Sequence, residues 1–259
     1  MVNLDAITQV GQGRPLVLAH GAGGRVRGDF GHLIQRLKGT RRLVGYDYPG
    51  SGRNPLIGQP LTLDLLADSL VDAAGAAGEV TFPVLGYSLG AAVAVTAASR
   101  HPDRVTGLIL TCGFAHVDRQ FRAFSLMYQA LLAGGDFSAI GRLLAGRVGP
   151  GVHPDPDEVR SREARVAQLA QGIQPGSGQQ LAVAASVDLA QVLRSIGLPT
   201  LVIVAGEDQL VLPQTQRELS TLMPKSEMIE YPHCGHVISP AQGDIWARDI
   251  SNFLERHHL

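Results

Sequence analysis

The chain has 259 residues, of which 45% are hydrophobic and 17% are charged, enough apolar material for one large α/β domain or two small ones. The formal net charge of −1, with no basic stripe, argues against a protein that binds nucleic acid or anionic lipid. Two cysteines are too few for a disulfide framework, the N-terminal segment has no signal-peptide pattern, and no apolar run is long enough to suggest a membrane span. We therefore expect a soluble cytoplasmic protein that contacts neither nucleic acid nor a membrane.

Short apolar runs that end in Gly- or Pro-rich turns alternate with amphipathic segments along most of the chain. The runs with the character of buried parallel strands lie, with their turns, at residues 15–20, 41–52, 80–88, 105–113 and 199–208. The segments with helical spacing lie at residues 29–37, 61–74, 88–102, 212–224 and 242–257. Strands that alternate with helices predict an α/β fold with an open, mostly parallel, doubly wound sheet that is covered on both faces.

One segment breaks this alternation. Residues 114–196 contain helix-like stretches joined by Gly- and Pro-rich links at 149–156 and 174–180, with no convincing strand. We predict that this segment is a helical cap inserted over the sheet, and that residues 1–113 and 197–259 form the α/β core. Apolar walls for a site beneath the cap would come from Phe114, Phe121, Phe124, Leu126, Met127, Tyr128, Leu131 and Leu132.

The stretch VLGYSLGAAVA, residues 84–94, places Ser88 between a predicted strand and a predicted helix. The turn must be very tight if the hydroxyl is to project from the edge of the sheet, and Gly86 and Gly90 remove side chains that would collide with neighbouring backbone. The helix points its first N–H groups into the same space, so the Leu89 N–H can donate to a developing oxyanion. A Gly-x-Ser-x-Gly pattern between a strand and a helix predicts a nucleophilic serine.

In this pattern and in the order of its elements, the sequence resembles the cap-bearing serine hydrolases of the α/β-hydrolase superfamily. The resemblance implies a catalytic triad in the chain order Ser, then Asp or Glu, then His. The family-like Gly-x-x-Asp turn indicates Asp208 as the acid, with the neighbouring Glu207 as the competing choice. The family-like CGH in the loop after the last strand indicates His236 as the base, with His233 as its rival.

A metal site built on His233, Cys234 and His236 is another interpretation of that last loop. It offers too few ligands of known spacing, and no partner cluster appears elsewhere in the sequence. We therefore predict neither a metal ion nor any other cofactor.

The stretch AHGAGG, residues 19–24, resembles the family's His-Gly loop after an early strand. The resemblance implies that the Ala22 N–H and the Leu89 N–H both point at the developing oxyanion. Two such donors suit acyl transfer because negative charge collects on the carbonyl oxygen in the transition state. His20 is expected to order the loop by hydrogen bonding, with Gly21 as a further supporting residue.

These residues together predict a serine hydrolase that cleaves an ester, lactone or thioester of a medium-sized, largely apolar molecule through an acyl-enzyme. A serine at position 88, in the tight turn between strand and helix, argues against haloalkane dehalogenases and epoxide hydrolases. Those enzymes resemble this chain but carry Asp at that position. Three alternatives stay open on the same fold: a C–C bond hydrolase, a non-hydrolytic lyase or cyclase, and a ligand-binding receptor with slow turnover.

Overall fold

A computed structural model gives the fold and describes residues 2–148 and 156–259, with residues 156–161 described by their backbone only. The strands are β1 (Ile7–Gly11), β2 (Arg14–Ala19), β3 (Arg41–Tyr46), β4 (Phe82–Tyr87), β5 (Val105–Thr111), β6 (Thr200–Ala205) and β7 (Ser226–Tyr231). They form a sheet in the order β1-β3-β2-β4-β5-β6-β7, in which β1 is antiparallel to β3 and the other neighbours are parallel. The predicted α/β class with a mostly parallel sheet is confirmed.

Helices fill the connections between the strands. They are α1 (Val26–Asp29), α2 (Gly31–Leu37), α3 (Leu63–Ala76), α4 (Leu89–Arg100), α5 (Arg119–Ala133), α6 (Phe137–Ala145), α7 (Pro156–Gln171), α8 (Ser177–Ala185), α9 (Ala190–Ser195), α10 (Pro213–Leu222) and α11 (Pro240–Arg256), with a short 3₁₀-helix at Leu4–Ala6. Within the described part of the chain, no helix is both long enough and apolar enough to cross a membrane.

The central strands are buried on both faces because their apolar residues alternate between two separate cores. In β2, Leu16 and Leu18 face the core formed with α1, α2 and α11. The intervening Val17 and Ala19 face the core formed with α3, α4 and α10. Burying a side chain of the size of valine or leucine stabilises the fold by about 1.5–3 kcal/mol. Helices therefore cover both faces of the sheet, which explains the unbroken apolar runs in the sequence.

The strand order changes direction at β2 and β4. From β2 the chain passes to β3 on one side, whereas β4 pairs with the opposite edge of β2, with Ala19 opposite Gly86. The loops that follow β2 and β4 therefore leave the sheet side by side at its carboxyl edge, where ligands bind in open α/β sheets. This register brings residues 20–24 next to Ser88.

Two local features differ from the sequence patterns. β1 is not predicted by them, because it is an edge strand whose residues are mostly exposed or half-buried and form no apolar run. The single helix predicted over 29–37 is divided, since α1 ends at Asp29 and α2 begins at Gly31. The side chain of Phe30, the residue between the two helices, is completely buried and packs in the core.

The helices α5 to α9 lie between β5 and β6 in the chain and extend over the carboxyl edge of the sheet. From α5, the Gln120 amide donates to the Gln209 carbonyl after β6 at 2.8 Å. From α8, the Gln180 amide donates to the Pro49 carbonyl after β3 at 3.1 Å. This placement agrees with a helical cap over the sheet, and the domain boundaries at residues 114 and 196 stay a prediction.

The structure corrects two expectations about this segment. The link predicted over 174–180 is wrong in its second half, because Ser177 already begins α8. Leu126 and Met127 are 70% and 53% exposed, so they do not line a site beneath the cap. The buried aromatic residues form a row of ring contacts along α5, namely Phe114, Phe121, Phe124 and Tyr128. The link at 149–156 lies outside the described residues except for Pro156.

Candidate active site

Ser88 lies at the turn between β4 and α4, where it is the N-cap residue of the helix. Its backbone has φ 55° and ψ −120°, a conformation that a non-glycine residue adopts only with strain of about 1–3 kcal/mol. The Ser88 N–H still donates to the Thr111 carbonyl of β5 at 2.9 Å, which holds the turn against the sheet. The predicted strand–serine–helix arrangement is present in the structure.

The two glycines around this serine are required by close approach of backbone. A Cβ atom built at Gly90 would lie 1.9 Å from the Ala19 carbonyl oxygen, and one at Gly86 would lie 2.2 Å from the Gly90 oxygen. Neither neighbour is the end of a flexible side chain, so alanine at position 90 or 86 would force the backbone apart. Gly86 and Gly90 therefore let the turn at Ser88 pack directly against the loop after β2.

The structure brings His236 and Asp208 together beneath the carboxyl edge. His236 Nδ1 lies 2.7 Å from Asp208 Oδ2, and both side chains are buried. Since a carboxylate oxygen can only accept, the proton of a neutral imidazole lies on Nδ1 and leaves Nε2 as an acceptor. Glu207, the competing acid, instead lies 3.1 Å from His233, whose side chain is largely exposed.

Further donors surround the Asp208 carboxylate. Oδ1 accepts the N–H groups of Leu210 and Val211 at 2.8 and 2.9 Å. Oδ2 accepts the side-chain amide of Gln216 at 2.8 Å in addition to His236. The Gln216 side chain is itself completely buried, and its oxygen accepts the Ala205 N–H at 2.9 Å. These bonds offset the cost of burying the carboxylate and fix the oxygen that faces the imidazole.

The loop that carries His236 is tied to the serine turn. The hydroxyl of Tyr87, the residue before Ser88, donates to the His236 carbonyl oxygen. The Tyr87 and His236 rings lie 5.5 Å apart between centroids, and the Cys112 thiol donates to the same carbonyl at 3.6 Å. Within the described residues, the Ser88 hydroxyl makes no hydrogen bond. Such bonds are often long in free enzymes and shorten only when substrate binds.

The loop after β2 passes directly above the serine turn. A Cβ atom built at Gly21 would lie 3.3 Å from the Ser88 Cβ. The Tyr48 N–H donates to His20 Nε2 at 2.9 Å, so the His20 proton is on Nδ1, which donates to the Gly21 carbonyl at 2.8 Å. Burial lowers the pKa of His20 to about 4, so this imidazole stays neutral near pH 7. These two bonds join His20 to the loop after β2 and to Tyr48.

The N–H groups of this loop are bonded on either side of Ala22. The Gly21 N–H donates to Asp29 Oδ2 at 2.8 Å, and the Gly23 N–H donates to Gln180 Oε1 at 2.8 Å. Among the described residues, no acceptor is paired with the Ala22 N–H or with the Leu89 N–H at the start of α4. Two backbone donors in neighbouring loops thus remain available to a ligand.

Asp29 is a half-buried carboxyl group next to the loop. Burial raises its pKa from 3.8 to about 6, although the Gly21 N–H and the nearby His236 favour the ionised form. The carboxyl oxygens also lie so close to Gly24 that a Cβ atom there would meet Asp29 Oδ2 at 2.4 Å. Asp29 therefore fixes both the direction of one N–H and the path of the loop.

One group of possible metal ligands occurs in the described chain. Donor atoms of Cys112, Asp208 and His236 lie within 4.8 Å of one another, and all three residues are buried. The carboxylate and imidazole are bonded to each other, and burial raises the pKa of the Cys112 thiol well above its ordinary value. Because metals bind the thiolate, this set does not fit a metal ion as it stands. The alternative set with His233 is not assembled, since that side chain is largely exposed.

Three residues of this site are missed by the sequence patterns. Gln216 supports the acid from α10, Gln180 reaches the β2 loop from α8, and Asp29 holds the same loop from α1. For Gln216 a signal does exist, since it lies within one helical turn of Pro213, the first residue of the helix after Asp208. Gln180 has no comparable signal, because its partners are far away in the chain.

Comparison with known proteins identifies the family of the fold. A family model described as the alpha/beta hydrolase fold matches residues 14–240. Pyrrolizixenacetamide deacetylase from Xenorhabdus hominickii is 30% identical over 233 residues, which cover 88% of this chain and 85% of that protein. Pimeloyl-(acyl-carrier protein) methyl ester esterase from Neisseria meningitidis is 28% identical over 258 residues, which cover 93% of this chain and 77% of that protein.

Among solved structures, a thermophilic esterase from Thermogutta terrifontis has the same fold. It superposes with a TM-score of 0.83 at 22% identity and covers 98% of this chain and 94% of that one. The match to the family model extends over most of the chain and includes Ser88, Asp208 and His236. The chain therefore belongs to the α/β-hydrolase fold family.

Proposed function

We propose that this protein is a serine hydrolase that cleaves an ester or a related acyl bond of a small molecule through an acyl-enzyme. The observation that carries the proposal is the buried hydrogen bond between His236 Nδ1 and Asp208 Oδ2 at 2.7 Å. It fixes the imidazole tautomer and leaves Nε2 as a base. Ser88, in the strained turn of a nucleophile elbow, belongs to the neighbouring loop.

In the first half of the proposed reaction, the Ser88 hydroxyl attacks the acyl carbonyl carbon while His236 Nε2 accepts its proton. The carbonyl oxygen becomes an oxyanion, and the N–H groups of Ala22 and Leu89 donate to it. The intermediate then collapses, the bond to the leaving group breaks, and the His236 imidazolium returns the proton to that group. The product of this half is an acyl-enzyme on Ser88.

In the second half, a water molecule replaces the leaving group. His236 takes one proton from the water as its oxygen attacks the acyl carbon, and the same two N–H groups receive the oxyanion. Collapse of this intermediate releases the carboxylic acid, and His236 returns the proton to the Ser88 oxygen. Asp208 stays ionised throughout and stabilises the imidazolium that forms twice in each turnover.

The relatives have names that fit this chemistry. A deacetylase and a methyl ester esterase both transfer an acyl group to water, one from an amide and the other from an ester. For this chain we propose an ester, lactone or thioester with a medium-sized, largely apolar acyl part.

The experiment combines labelling with turnover. The wild-type protein is treated with a fluorophosphonate and mapped by mass spectrometry, and hydrolysis of p-nitrophenyl butyrate is followed in parallel. Ser88→Ala is the test variant, and Ser186→Ala is the matched control, because among the described residues the Ser186 hydroxyl bonds only to the Val183 carbonyl near the end of α8. We expect one label at Ser88 and a loss of kcat of at least about 10³-fold in Ser88→Ala.

The outcomes separate the alternatives. Labelling of Ser88 without hydrolysis of any simple ester would favour a receptor or a non-hydrolytic enzyme on the same fold. Full activity in Ser88→Ala, or a label at another residue that accounts for the activity, would overturn the proposal. Ser186→Ala should keep wild-type labelling and turnover.

A further inference from the structure

The cap contributes one side chain to the loop after β2. Gln180 of α8 is completely buried, and every group of its amide is bonded. Oε1 accepts the Gly23 N–H at 2.8 Å, while Nε2 donates to the Pro49 carbonyl at 3.1 Å and to the Ser51 hydroxyl at 3.0 Å. A single side chain of the cap thus joins the loops that follow β2 and β3.

The chemistry of these partners requires an amide. The Gly23 N–H is a donor and the Pro49 carbonyl is an acceptor. The side chain between them must therefore present an acceptor and a donor at once. Methionine has similar length but would leave both buried backbone groups unpaired. Glutamate would keep the acceptor for Gly23 and lose the donor to Pro49, and it would place a charge in a buried position.

The start of α8 is fitted closely to the same loops. The Gly176 N–H donates to the Gly50 carbonyl at 2.9 Å, and a Cβ atom at Gly176 would lie 2.4 Å from the Pro49 oxygen. The Ser177 hydroxyl accepts a bond from Tyr128 of α5 at 3.0 Å. The position of Gln180 is therefore set by backbone contacts, so that its amide can act as a fixed support.

The support acts next to the free N–H of Ala22. The Gly21 carbonyl accepts both His20 Nδ1 and the Gly24 N–H, which fixes the peptide plane that carries the Ala22 N–H. Gln180 fixes the next peptide plane through the Gly23 N–H. Because these two peptide planes share the Ala22 Cα, a tilt of the plane that carries the Gly23 N–H would be transmitted through that atom to the plane that carries the Ala22 N–H.

We propose that Gln180 is a positioning residue for the oxyanion hole, supplied by the cap and acting through the Gly23 N–H. This inference rests on the proposed function, since an oxyanion hole has meaning only for acyl transfer. It implies that α8 stays in place during turnover and belongs to the catalytic apparatus. Displacement of a catalytic group by about 1 Å can cost about 10²-fold in rate.

The test uses Gln180→Met, with Gln174→Met as the matched control. Gln174 lies just before the same helix and accepts the Gly52 N–H at 3.0 Å, but it does not reach the loop after β2. For both variants we would measure kcat and KM with p-nitrophenyl butyrate, the inhibition constant of phenylboronic acid, and thermal unfolding. The boronate forms a tetrahedral anionic adduct, so its affinity reports on the oxyanion hole.

For Gln180→Met we expect kcat to fall about 10- to 100-fold with KM within about threefold, and boronate affinity to fall by a similar factor. For Gln174→Met we expect both constants within about twofold of wild type, whatever the loss of stability. A folded Gln180→Met protein with wild-type kcat and boronate affinity would overturn the inference. So would a loss confined to KM.

Gln180→Glu provides the second variant, which decides the question if Gln180→Met does not fold. A positioning role predicts that glutamate retains more kcat than methionine and stays within about tenfold of wild type, because its oxygen still accepts the Gly23 N–H. A merely structural role predicts that kcat decreases in parallel with the free energy of unfolding. The buried charge of the glutamate should lower that free energy. A loss above about 100-fold in a folded Gln180→Glu protein would contradict positioning. If wild type neither reacts with fluorophosphonate nor hydrolyses esters, the proposed function itself fails.

Discussion

The two halves of the candidate site are supported in different ways. The acid–base half consists of Asp208, His236 and the buried Gln216, and the oxyanion half consists of the loop around Ala22 and the buried Gln180. Each half thus contains one completely buried glutamine whose amide is bonded at both ends. In the proposed mechanism each glutamine supports a neighbour of a reacting group, since Gln216 bonds the carboxylate beside His236 and Gln180 bonds the N–H beside Ala22.

The difference lies in where each glutamine comes from. Gln216 is only 8 residues from Asp208, on the helix that follows the same strand, so one β-α unit of the sheet supplies both the carboxylate and its amide donor. Gln180 is 157 residues from Gly23 and belongs to the inserted segment. On the proposed roles, the acid and its support therefore come from neighbouring elements of the sheet, whereas the support for the loop after β2 comes from the segment between β5 and β6.

The largest effect is expected within the acid–base half. Asp208→Ala should lower kcat by about 10³- to 10⁴-fold, because the imidazole loses the group that fixes its tautomer and stabilises its charge. Glu207→Ala is the control, since Glu207 faces the exposed His233 and not His236. Steady-state kinetics with p-nitrophenyl butyrate measures both. Equal losses of kcat in Asp208→Ala and Glu207→Ala would contradict the assignment of Asp208 as the acid.

Gln216→Met sharpens the comparison with Gln180→Met. We expect kcat to fall about 10- to 100-fold, because Asp208 keeps three of its donors and loses one. The free energy of unfolding should fall by about 1–3 kcal/mol, since the buried Ala205 N–H loses its acceptor. Kinetics and urea unfolding test this. An unchanged kcat in Gln216→Met would mean that Asp208 needs no support from α10.

His20→Gln tests the buried imidazole through stability at acid pH. The His20 imidazole takes up its second ring proton near pH 4 in the folded protein and near pH 6.5 in the unfolded chain. The free energy of unfolding therefore decreases as the pH falls from about 6.5 to 4. The full effect is about 3 kcal/mol, and glutamine abolishes it. Urea unfolding at pH 7 and pH 4.5 measures it, with the exposed His32→Gln as control. An identical pH dependence in wild type and His20→Gln would contradict the assignment.

Asp29→Asn is expected to have the smallest effect. The asparagine oxygen can still accept the Gly21 N–H, so kcat should stay within about fivefold of wild type. Because the pKa of Asp29 is raised to about 6 in the folded protein, wild-type stability falls as the pH rises from about 4 to 6, and the variant should be more stable than wild type above pH 6. Unfolding at pH 4 and pH 8 tests this, with the exposed Asp5→Asn as control. A variant less stable than wild type at pH 8 would contradict it.

The sequence predicts the parts of this molecule that depend on local pattern. The buried strands, the turn at Ser88 and the flanking glycines follow from residue types at fixed spacing. The choice between Asp208 and Glu207 does not, because adjacent carboxylates differ only in the direction imposed by the turn. The structure distinguishes them by the bond from Asp208 to His236.

The features that pattern does not predict are those that depend on distant partners. Gln180 lies in a stretch rich in Gly and Ser that resembles a link, yet the contacts of Gly176 with the loop after β3 allow α8 to begin directly afterwards. β1 gains its order from pairing with β3, not from apolar side chains. Leu126 and Met127 have the composition of a site wall and face solvent, because composition does not fix the face of a helix.

The central claim is that Ser88 carries the acyl group during turnover. The most direct measurement is rapid-quench mass spectrometry of the wild-type protein during hydrolysis of p-nitrophenyl butyrate, with peptide mapping of any adduct. The account predicts one butyryl group per chain on the peptide that contains Ser88, formed within the first turnover and absent in Ser88→Ala. Rapid turnover with no adduct at any time, or with the adduct on another residue, would contradict it.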